Sequence, residues 1–211
     1  MNETLYAMYR EAMVEQFVGP HLAANDPLLD AFVQVARHRF VPSGSRPYAY
    51  EEQAVPIGEE QMLTQPSAIA RVLALAELNP SDRVLDVGCG SGYQMALAAC
   101  VAAEVYGLER SANLAAAARH NLADAGIKGS VFVLDGLNGL PAHAPFDVIL
   151  CGAAVPTPPE ILLQQLAPNG RLVAPMGDAH RQTLTRWTRT PNGYEVQRTD
   201  EVLFSPFVVS P

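Results

Sequence analysis

The stretch Arg83–Gln94, with the sequence RVLDVGCGSGYQ, decides the fold of this chain. Its beginning, RVLDV, is mostly apolar and β-branched, which predicts a short buried strand. Three glycines follow at alternate positions: Gly88, Gly90 and Gly92. The alanine-rich stretch Tyr93–Val105 then predicts a helix. Glycines allow positive φ angles and let a ligand approach without a Cβ in its way, and a helix start adds unpaired N–H groups. The stretch therefore predicts a strand, a turn and a helix around a ligand.

The spacing of these glycines indicates which ligand the turn suits. The pattern is G-x-G-x-G, preceded by Asp86, whereas the dinucleotide fingerprint is G-x-G-x-x-G. D-x-G-x-G-x-G after a strand resembles motif I of the S-adenosylmethionine (SAM) methyltransferases. A nicotinamide-dependent oxidoreductase is disfavoured by the spacing. A turn of this kind that binds no ligand stays open at this point.

The composition limits the compartment and the partners. The chain has 211 residues, 49% of them hydrophobic, which is enough for one domain with a large core. Its formal net charge of −8 argues against binding to nucleic acid or to an anionic membrane. No apolar run is long enough to span a bilayer, and MNETLYAMYR lacks the pattern of a signal peptide. The three cysteines show neither metal-site nor disulfide spacing, so we expect a reducing, cytoplasmic location and no metal.

The N-terminal part is predicted to be helical and then irregular. Residues 1–42 have apolar positions at helical spacing, with Asp26 as an N-cap and Pro27 as the first residue of a second helix. Arg37-His38-Arg39 is interpreted as a solvated helix end, where cations suit the helix dipole. Residues 43–66 are interrupted by glycines and prolines. Connections of this length are uncommon in a compact domain and are often functional.

After this loop, strands are predicted to alternate with helices. This order predicts a parallel sheet with crossover connections. The last two predicted strands, Gln182–Arg189 and Tyr194–Phe204, have no helix between them, which indicates an antiparallel addition at the C-terminal edge. We expect residues 1–211 to form a single domain, with 1–66 as N-terminal helices and active-site loop and 67–211 as the sheet core.

Two acids lie where a nucleoside is expected to bind. In an open parallel sheet, ligands bind beyond the carboxyl ends of the strands. Glu109 ends the strand that follows the glycine turn, where an acid can bind both hydroxyls of a ribose. Asp135 ends the next strand, where it can accept a hydrogen bond from the exocyclic amine of a purine. Each acid alone also fits an N-cap or a turn, but the two on consecutive strand ends favour a ligand.

Further motifs narrow the resemblance to one family. They are RHRFVP at Arg37–Pro42, PIG at Pro56–Gly58, VLDVGCGSGYQ, FDVILCGAA and LAPNGRLVAPMG. Together they resemble the protein-L-isoaspartate O-methyltransferases from about residue 10 to the end. The resemblance implies a Rossmann-like α/β fold of the SAM-dependent methyltransferases. This is a three-layer sandwich with a mostly parallel sheet, an antiparallel strand at its C-terminal edge and an N-terminal helical extension.

The resemblance also implies roles for individual residues. SAM is the implied cofactor, and the implied partner is a protein or peptide whose isoaspartyl carboxylate is methylated. The family's active-site serine maps to Thr64, which is the implied catalytic residue. The residues implied to bind the cofactor lie in the loop, the glycine turn and the next two strand ends: Gln61, Met62, Leu63, Asp86, Gly88, Cys89, Gly90, Gly92, Glu109, Arg110, Asp135 and Gly136. Cys89 is interpreted as a small packing residue in this turn rather than a nucleophile.

The chain departs from the family's usual sequence in the loop and near the C-terminus. The family's Gly-Gln-Thr-Ile-Ser is Glu60–Thr64 here, so one hydroxyl is lost at Met62, and its Val-Arg-Phe-Val-Pro-Leu is Val202–Phe207. Four glutamates, Glu51, Glu52, Glu59 and Glu60, also crowd the loop expected to cover an anionic acceptor. We expect most of them to face solvent. A neutral or cationic acceptor, and a SAM-binding protein without catalytic activity, stay open as alternatives.

Overall fold

The computed structural model describes residues 2–207, apart from the side chain of residue 200. Residue 1 and residues 208–211 of the predicted domain lie outside the described residues. The strands are β1 (Val55–Gly58), β2 (Gln61–Leu63), β3 (Arg83–Val87), β4 (Glu104–Glu109), β5 (Ser130–Val133), β6 (Phe146–Cys151), β7 (Leu166–Gly177), β8 (Gln182–Thr190) and β9 (Gly193–Val202). The α-helices are α1 (Glu3–Met13), α2 (Pro27–Gln34), α3 (Pro66–Ala76), α4 (Tyr93–Ala99), α5 (Ala112–Asp124) and α6 (Glu160–Leu163).

The main sheet has seven strands in the order β5-β4-β3-β6-β7-β8-β9. The five strands β5, β4, β3, β6 and β7 are parallel to one another. β8 runs antiparallel to β7, and β9 at the edge runs antiparallel to β8. The predicted fold, a mostly parallel sheet with an antiparallel addition at the C-terminal edge, is confirmed.

Two hydrophobic cores lie on the two faces of this sheet. Val84 of β3 belongs to the core that contains Ile69 of α3 and Ala118 of α5. Leu85, the next residue of β3, belongs to the other core, with Leu162 of α6. Successive side chains of a strand point to opposite faces, so a strand that is apolar at both positions is buried on both sides. The result is the expected three-layer arrangement, with the carboxyl ends of the parallel strands at one edge.

The N-terminal region is helical as predicted, with different boundaries. The Asp26 side chain accepts a hydrogen bond from Leu28 N at 2.9 Å, and Pro27 begins α2, so this predicted helix start is confirmed. The first helix ends at Met13 and continues as a π-helical turn, Val14–Val18.

The predicted helix Tyr93–Val105 is too long, because β4 already begins at Glu104. Within residues 2–207, no helix has both the length and the apolar character that a bilayer crossing needs.

The loop predicted to be irregular contains regular structure. Ser43–Tyr48 is a 3-10 helix, and β1 and β2 form an antiparallel hairpin. The tip of this hairpin is Glu59-Glu60, and both residues have positive φ angles, 53° and 56°. Such angles at both central positions belong to a type I′ turn, which usually has asparagine and glycine. Glutamate propensity therefore gave no sign of this turn.

The prediction of a solvated helix end at Arg37-His38-Arg39 is wrong for its first two residues. These residues form a 3-10 turn with Phe40, and Arg37 and His38 are buried, with 0% and 1% of their surface exposed. Only Arg39 keeps an accessible side chain, which pairs with Glu3 and Asp124 at 3.4 Å. A run of cations usually indicates a segment exposed to solvent. Here the buried guanidinium of Arg37 donates hydrogen bonds to backbone carbonyls of segments distant in sequence.

Candidate active site

The glycine turn after β3 has the backbone geometry that its sequence predicts. Gly88, Gly90 and Gly92 have positive φ angles of 76°, 54° and 88°. The amides of Gly88 and Cys89 donate to the Leu108 carbonyl at 2.8 and 3.0 Å, which folds the turn over the end of β4. No atom lies within 4 Å of the place where a Cβ of Gly88 would stand. The turn therefore presents bare backbone to the space beyond the strand ends.

That space is a cavity of about 530 Å³ at the carboxyl ends of the parallel strands. Its size falls within the ~300–1,000 Å³ typical of small-molecule sites. Predicted cofactor residues that line it are Gln61, Met62, Gly88, Gly90, Glu109, Arg110, Asp135 and Gly136. The remaining predicted residues lie outside its wall: Leu63, Thr64, Asp86, Cys89 and Gly92.

Glu109 ties the glycine turn to the start of α5. Its Oε2 accepts from the Gly90 amide at 3.0 Å, and its Oε1 accepts from the Ser111 amide at 2.9 Å. The side chain is 7% exposed and forms part of the cavity wall. A carboxylate has about four acceptor positions, so each oxygen can accept a further hydrogen bond from a ligand hydroxyl.

Asp135 and Gly136 form the neighbouring part of the wall. The Asp135 side chain accepts from the Leu137 amide at 3.1 Å and caps a 3-10 turn. A Cβ on Gly136 would stand 2.5 Å from Val87 Cγ1 and 2.9 Å from Phe207 Cζ. The glycine therefore lets the Phe207 ring pack against the backbone at the end of the cavity that Asp135 lines.

Asp86 lies beneath the turn rather than in the cavity wall. It is completely buried in a central strand, and its Oδ1 accepts from Gln94 Nε2 at 2.9 Å. Its Oδ2 has no hydrogen-bond partner within the described part of the chain. Burial raises the pKa of Asp86 from 3.8 to about 7, the hydrogen bond from Gln94 opposes this rise, and the charge of Glu109 adds to it. Asp86 is thus an acid that is poised to hold a proton near neutral pH.

Cys89 and Gly92 also have packing roles. A Cβ on Gly107 would stand 2.9 Å from Cys89 Sγ, so the thiol packs closely against β4. Burial raises the pKa of Cys89 well above its usual value, which argues against a nucleophilic thiolate. A Cβ on Gly92 would meet Ala118 of α5 at 3.3 Å. These contacts explain why neither residue reaches the cavity.

Thr64 directly follows the hairpin that covers one side of the cavity. Its carbonyl accepts from Arg37 Nη2 at 2.7 Å. Its hydroxyl does not cap α3, because the N-cap of that helix is Gln65 and the carboxylate of Glu52 accepts from the amide and hydroxyl of Ser67. Thr64 is half-buried, and among residues 2–207 no hydrogen bond of its hydroxyl is found.

The charges of the cavity wall discriminate between cofactor classes. Four carboxylates line it, those of Glu59, Glu60, Glu109 and Asp135, with the guanidinium of Arg110. A wall with this excess of negative charge suits a cationic ligand and repels the pyrophosphate of a nicotinamide dinucleotide. The electrostatics therefore agree with the glycine spacing in favouring a sulfonium cofactor.

Two parts of the wall were not predicted from the sequence. Asn113 Nδ2 donates to Glu59 Oε1 at 2.9 Å, which joins the hairpin tip to α5 across the cavity rim. The segment Ser205–Phe207 is held by two backbone hydrogen bonds with Ala154, of 2.9 and 2.8 Å. The asparagine gave no signal in the sequence. The C-terminal segment corresponds to the family's Val-Arg-Phe-Val-Pro-Leu, from which it departs, and this correspondence did not indicate a place in the wall.

The sheet order, the glycine turn and the acid-lined cavity define the chain as a methyltransferase of the Rossmann-like class. Its sequence matches the family model described as protein-L-isoaspartate(D-aspartate) O-methyltransferase over residues 8–210. The chain belongs to this family.

Similar proteins agree with this membership. A protein-L-isoaspartate O-methyltransferase of Aeropyrum pernix is 45% identical over 209 residues, which covers 95% of this chain and 80% of the relative. One of Roseiflexus castenholzii is 41% identical over 200 residues, with 94% and 91% covered. The crystal structure of a Plasmodium falciparum protein described as a protein-L-isoaspartate O-methyltransferase, in complex with S-adenosyl-L-homocysteine, matches with a TM-score of 0.81 and 24% identity. The match covers 94% of this chain and 98% of the Plasmodium falciparum chain, and it supports the fold.

Proposed function

We propose that this chain is a SAM-dependent O-methyltransferase that esterifies the carboxylate of L-isoaspartyl residues in damaged proteins or peptides. The observation that carries the proposal is the acid-lined cavity at the strand ends of a chain that belongs to the protein-L-isoaspartate O-methyltransferase family. The open Cβ position of Gly88 and the fixed carboxylate of Glu109 fit the cofactor. Bound SAM supplies an electrophilic methyl group on a sulfonium.

Different residues of the wall are assigned to different parts of the cofactor. We assign Glu109 to the ribose hydroxyls and Asp135, with Gly136, to the adenine amine. Gly88 and Gly90 present backbone to the methionyl part. Gln61, Met62 and Arg110 close the cavity from the hairpin and from the start of α5. Leu63, Asp86, Cys89 and Gly92 support these contacts from behind the wall.

Thr64 is the proposed catalytic residue, and it acts by alignment. The acceptor carboxylate is ionised near neutral pH, so the transfer needs no strong base. The carboxylate oxygen forms a bond to the methyl carbon, and the electron pair of the broken carbon–sulfur bond stays on sulfur. The Thr64 hydroxyl donates to the acceptor carboxylate and keeps it in line. Alignment of this kind can contribute about 7–11 kcal/mol to a reaction between two bound partners.

The domain and the location are proposals as well. We propose that residues 1–211 form one methyltransferase domain, in which 1–66 cover the site and 67–211 bind the cofactor. The cysteines Cys89, Cys100 and Cys151 are free, which supports a reducing compartment, and we propose the cytoplasm. The net charge of −8 supports a protein or peptide partner rather than a nucleic acid.

The test is transfer of labelled methyl from SAM to an isoaspartyl peptide, with the normal aspartyl peptide as control. Thr64→Val keeps the shape and removes the donor, so we expect single-turnover transfer to fall about ten- to a hundredfold. Thr64→Ser should retain most activity. Melting temperatures of the same preparations separate chemistry from folding. Label on both peptides alike, or on neither, refutes the proposed substrate; an unchanged rate in Thr64→Val ends the catalytic role of Thr64.

A further inference from the structure

Arg37 is a buried cation at the back of the active-site loop. Its Nε donates to the Ala49 carbonyl and its Nη2 to the Thr64 carbonyl, each at 2.7 Å. Its guanidinium carbon lies 5.0 Å from the centre of the Tyr93 ring, a cation–π contact with the first residue of α4. One side chain thus connects the N-terminal region, the loop and the helix that follows the glycine turn.

Among residues 2–207, no carboxylate is found in direct contact with the guanidinium of Arg37. Within the described residues, none of the ion pairs involves it; its Nε and Nη2 donate to backbone carbonyls, and its Nη1 has no hydrogen-bond partner there. Burial lowers its pKa, and the interaction with Tyr93 and, next in size, the charge of Glu52 oppose this effect. A guanidinium nevertheless stays protonated in proteins. Burying a cation without a paired anion is costly, which makes a purely packing role a poor explanation for this residue.

The hydrogen bond from Arg37 holds the backbone carbonyl of Thr64, the residue whose hydroxyl is proposed to bind the acceptor. The Thr64 carbonyl belongs to the peptide that joins Thr64 to Gln65, so Arg37 sets the plane of that peptide. On the other side, Leu63 is held by pairing with Val55 in the hairpin. These two backbone restraints fix the position of the Cβ that carries the hydroxyl, and the hydroxyl itself has no hydrogen bond among the described residues.

We propose that Arg37 is a positioning residue for methyl transfer, which holds the Thr64 peptide so that the hydroxyl meets the acceptor carboxylate. The inference rests on the proposed function. The cation also places positive charge behind the point where the anionic acceptor binds. Lysine at this position keeps the charge but loses the planar fork, and methionine loses both.

The test is a double-mutant cycle in single-turnover methyl transfer to the isoaspartyl peptide. We expect Arg37→Lys to fall about tenfold in rate and Arg37→Met about a hundredfold, while calorimetry shows S-adenosyl-L-homocysteine affinity within about threefold of wild type. If Arg37 acts through the hydroxyl, Arg37→Lys in a Thr64→Val background should cause less than a twofold further loss. A purely structural role gives losses that multiply, because the two changes are then independent.

Arg39→Met is the matched control, because it removes a cation from the same turn, where Arg39 pairs with Glu3 and Asp124 at the surface. It should keep the rate within about twofold. If the wild type is active and the rate losses of Arg37→Lys and Thr64→Val multiply, the positioning role of Arg37 is refuted and the proposed function is not. A wild-type chain that transfers no methyl overturns the proposed function and this proposal with it. If Arg37→Met fails to bind S-adenosyl-L-homocysteine, the cycle with Arg37→Lys decides the outcome.

Discussion

Replacing Asp86 with asparagine is expected to stabilise the chain at neutral and alkaline pH and to have little such effect in acid. The carboxyl is completely buried, and its pKa is about 7 instead of 3.8, mainly because of that burial. The folded state therefore binds the proton more tightly than the unfolded chain does. For the wild type, this lowers the free energy of unfolding as the pH rises between these two values.

The size of the effect follows from the shift in pKa. Each unit corresponds to about 1.4 kcal/mol, so ionisation of Asp86 removes about 4 kcal/mol over the whole interval. Roughly 2 kcal/mol of this loss falls between about pH 5.5 and about pH 8, a range that lies above the sequence pI of 5.0. Asparagine does not ionise, so the stability advantage of Asp86→Asn should grow by this amount across the range.

Urea unfolding of both proteins at the two pH values measures this advantage. Asp30→Asn makes the same chemical change on an exposed position of α2 and is the matched control. The control should show a stability difference that stays within about 0.5 kcal/mol at both pH values. If Asp86→Asn behaves like the control, then the buried carboxyl does not titrate near neutral pH and the reasoning fails.

Other substitutions test the cavity wall. Glu109→Ala should weaken S-adenosyl-L-homocysteine binding in calorimetry by about 1–3 kcal/mol, because charge-assisted hydrogen bonds are lost. Glu59→Ala removes the hydrogen bond to Asn113 across the cavity rim, so stopped-flow dissociation of the same ligand should become about three- to tenfold faster. Gly152→Ala would place a Cβ 2.5 Å from the Gly88 carbonyl oxygen, and thermal unfolding should show a loss of about 1–3 kcal/mol.

Each of these changes has a control in the same region. Glu60→Ala alters the neighbouring hairpin residue, for which no hydrogen bond to α5 is found within residues 2–207; equal dissociation rates in Glu59→Ala and Glu60→Ala would contradict the rim contact. Gly44→Ala adds a Cβ with no atom within 4 Å, so its melting temperature should stay near that of wild type. Glu104→Ala changes an exposed acid at the far end of β4 and should bind S-adenosyl-L-homocysteine like the wild type. If Glu109→Ala also binds this ligand like the wild type, Glu109 does not bind the ribose.

The sequence allowed the core of the fold to be predicted because its signals are local. The glycines at 88, 90 and 92 mark positions that need positive φ angles, and the structure has all three. Glu109 and Asp135 were placed at the ends of predicted strands, and both line the cavity. Apolar strands that alternate with helices leave few possible topologies.

The parts that escaped prediction depend on contacts distant in sequence. Arg37 lies 12 and 27 residues from the carbonyls that receive it, Ala49 and Thr64, and its charge suggested solvent instead. The resemblance implied that Asp86 binds the cofactor, but its side chain is completely buried and accepts from Gln94, eight residues further along the chain. Phe207 reaches the wall only because its segment pairs with Ala154 after β6.

The glutamates of the loop can now be considered one by one against an anionic acceptor. Three are exposed, as expected, and only Glu52 is half-buried. Glu51 accepts from Gln53 Nε2 at 2.6 Å, and Glu52 receives the amide of Ser67. Glu59 accepts from the Asn113 side chain at 2.9 Å on the rim of the cofactor cavity.

The remaining glutamate, Glu60, lines the same cavity at the strand ends, whose excess of carboxylates suits a cationic sulfonium. The negative charges of the loop therefore have partners or positions other than the acceptor, and the nearest charge known to touch the Thr64 backbone is the cation of Arg37. Carboxylates in the cavity wall and a cation on the Thr64 backbone match the proposed transfer from a cationic donor to an anionic acceptor. The glutamate-rich loop, whose composition left a neutral or cationic acceptor open as an alternative, thus agrees with the proposed carboxylate once each side chain is placed.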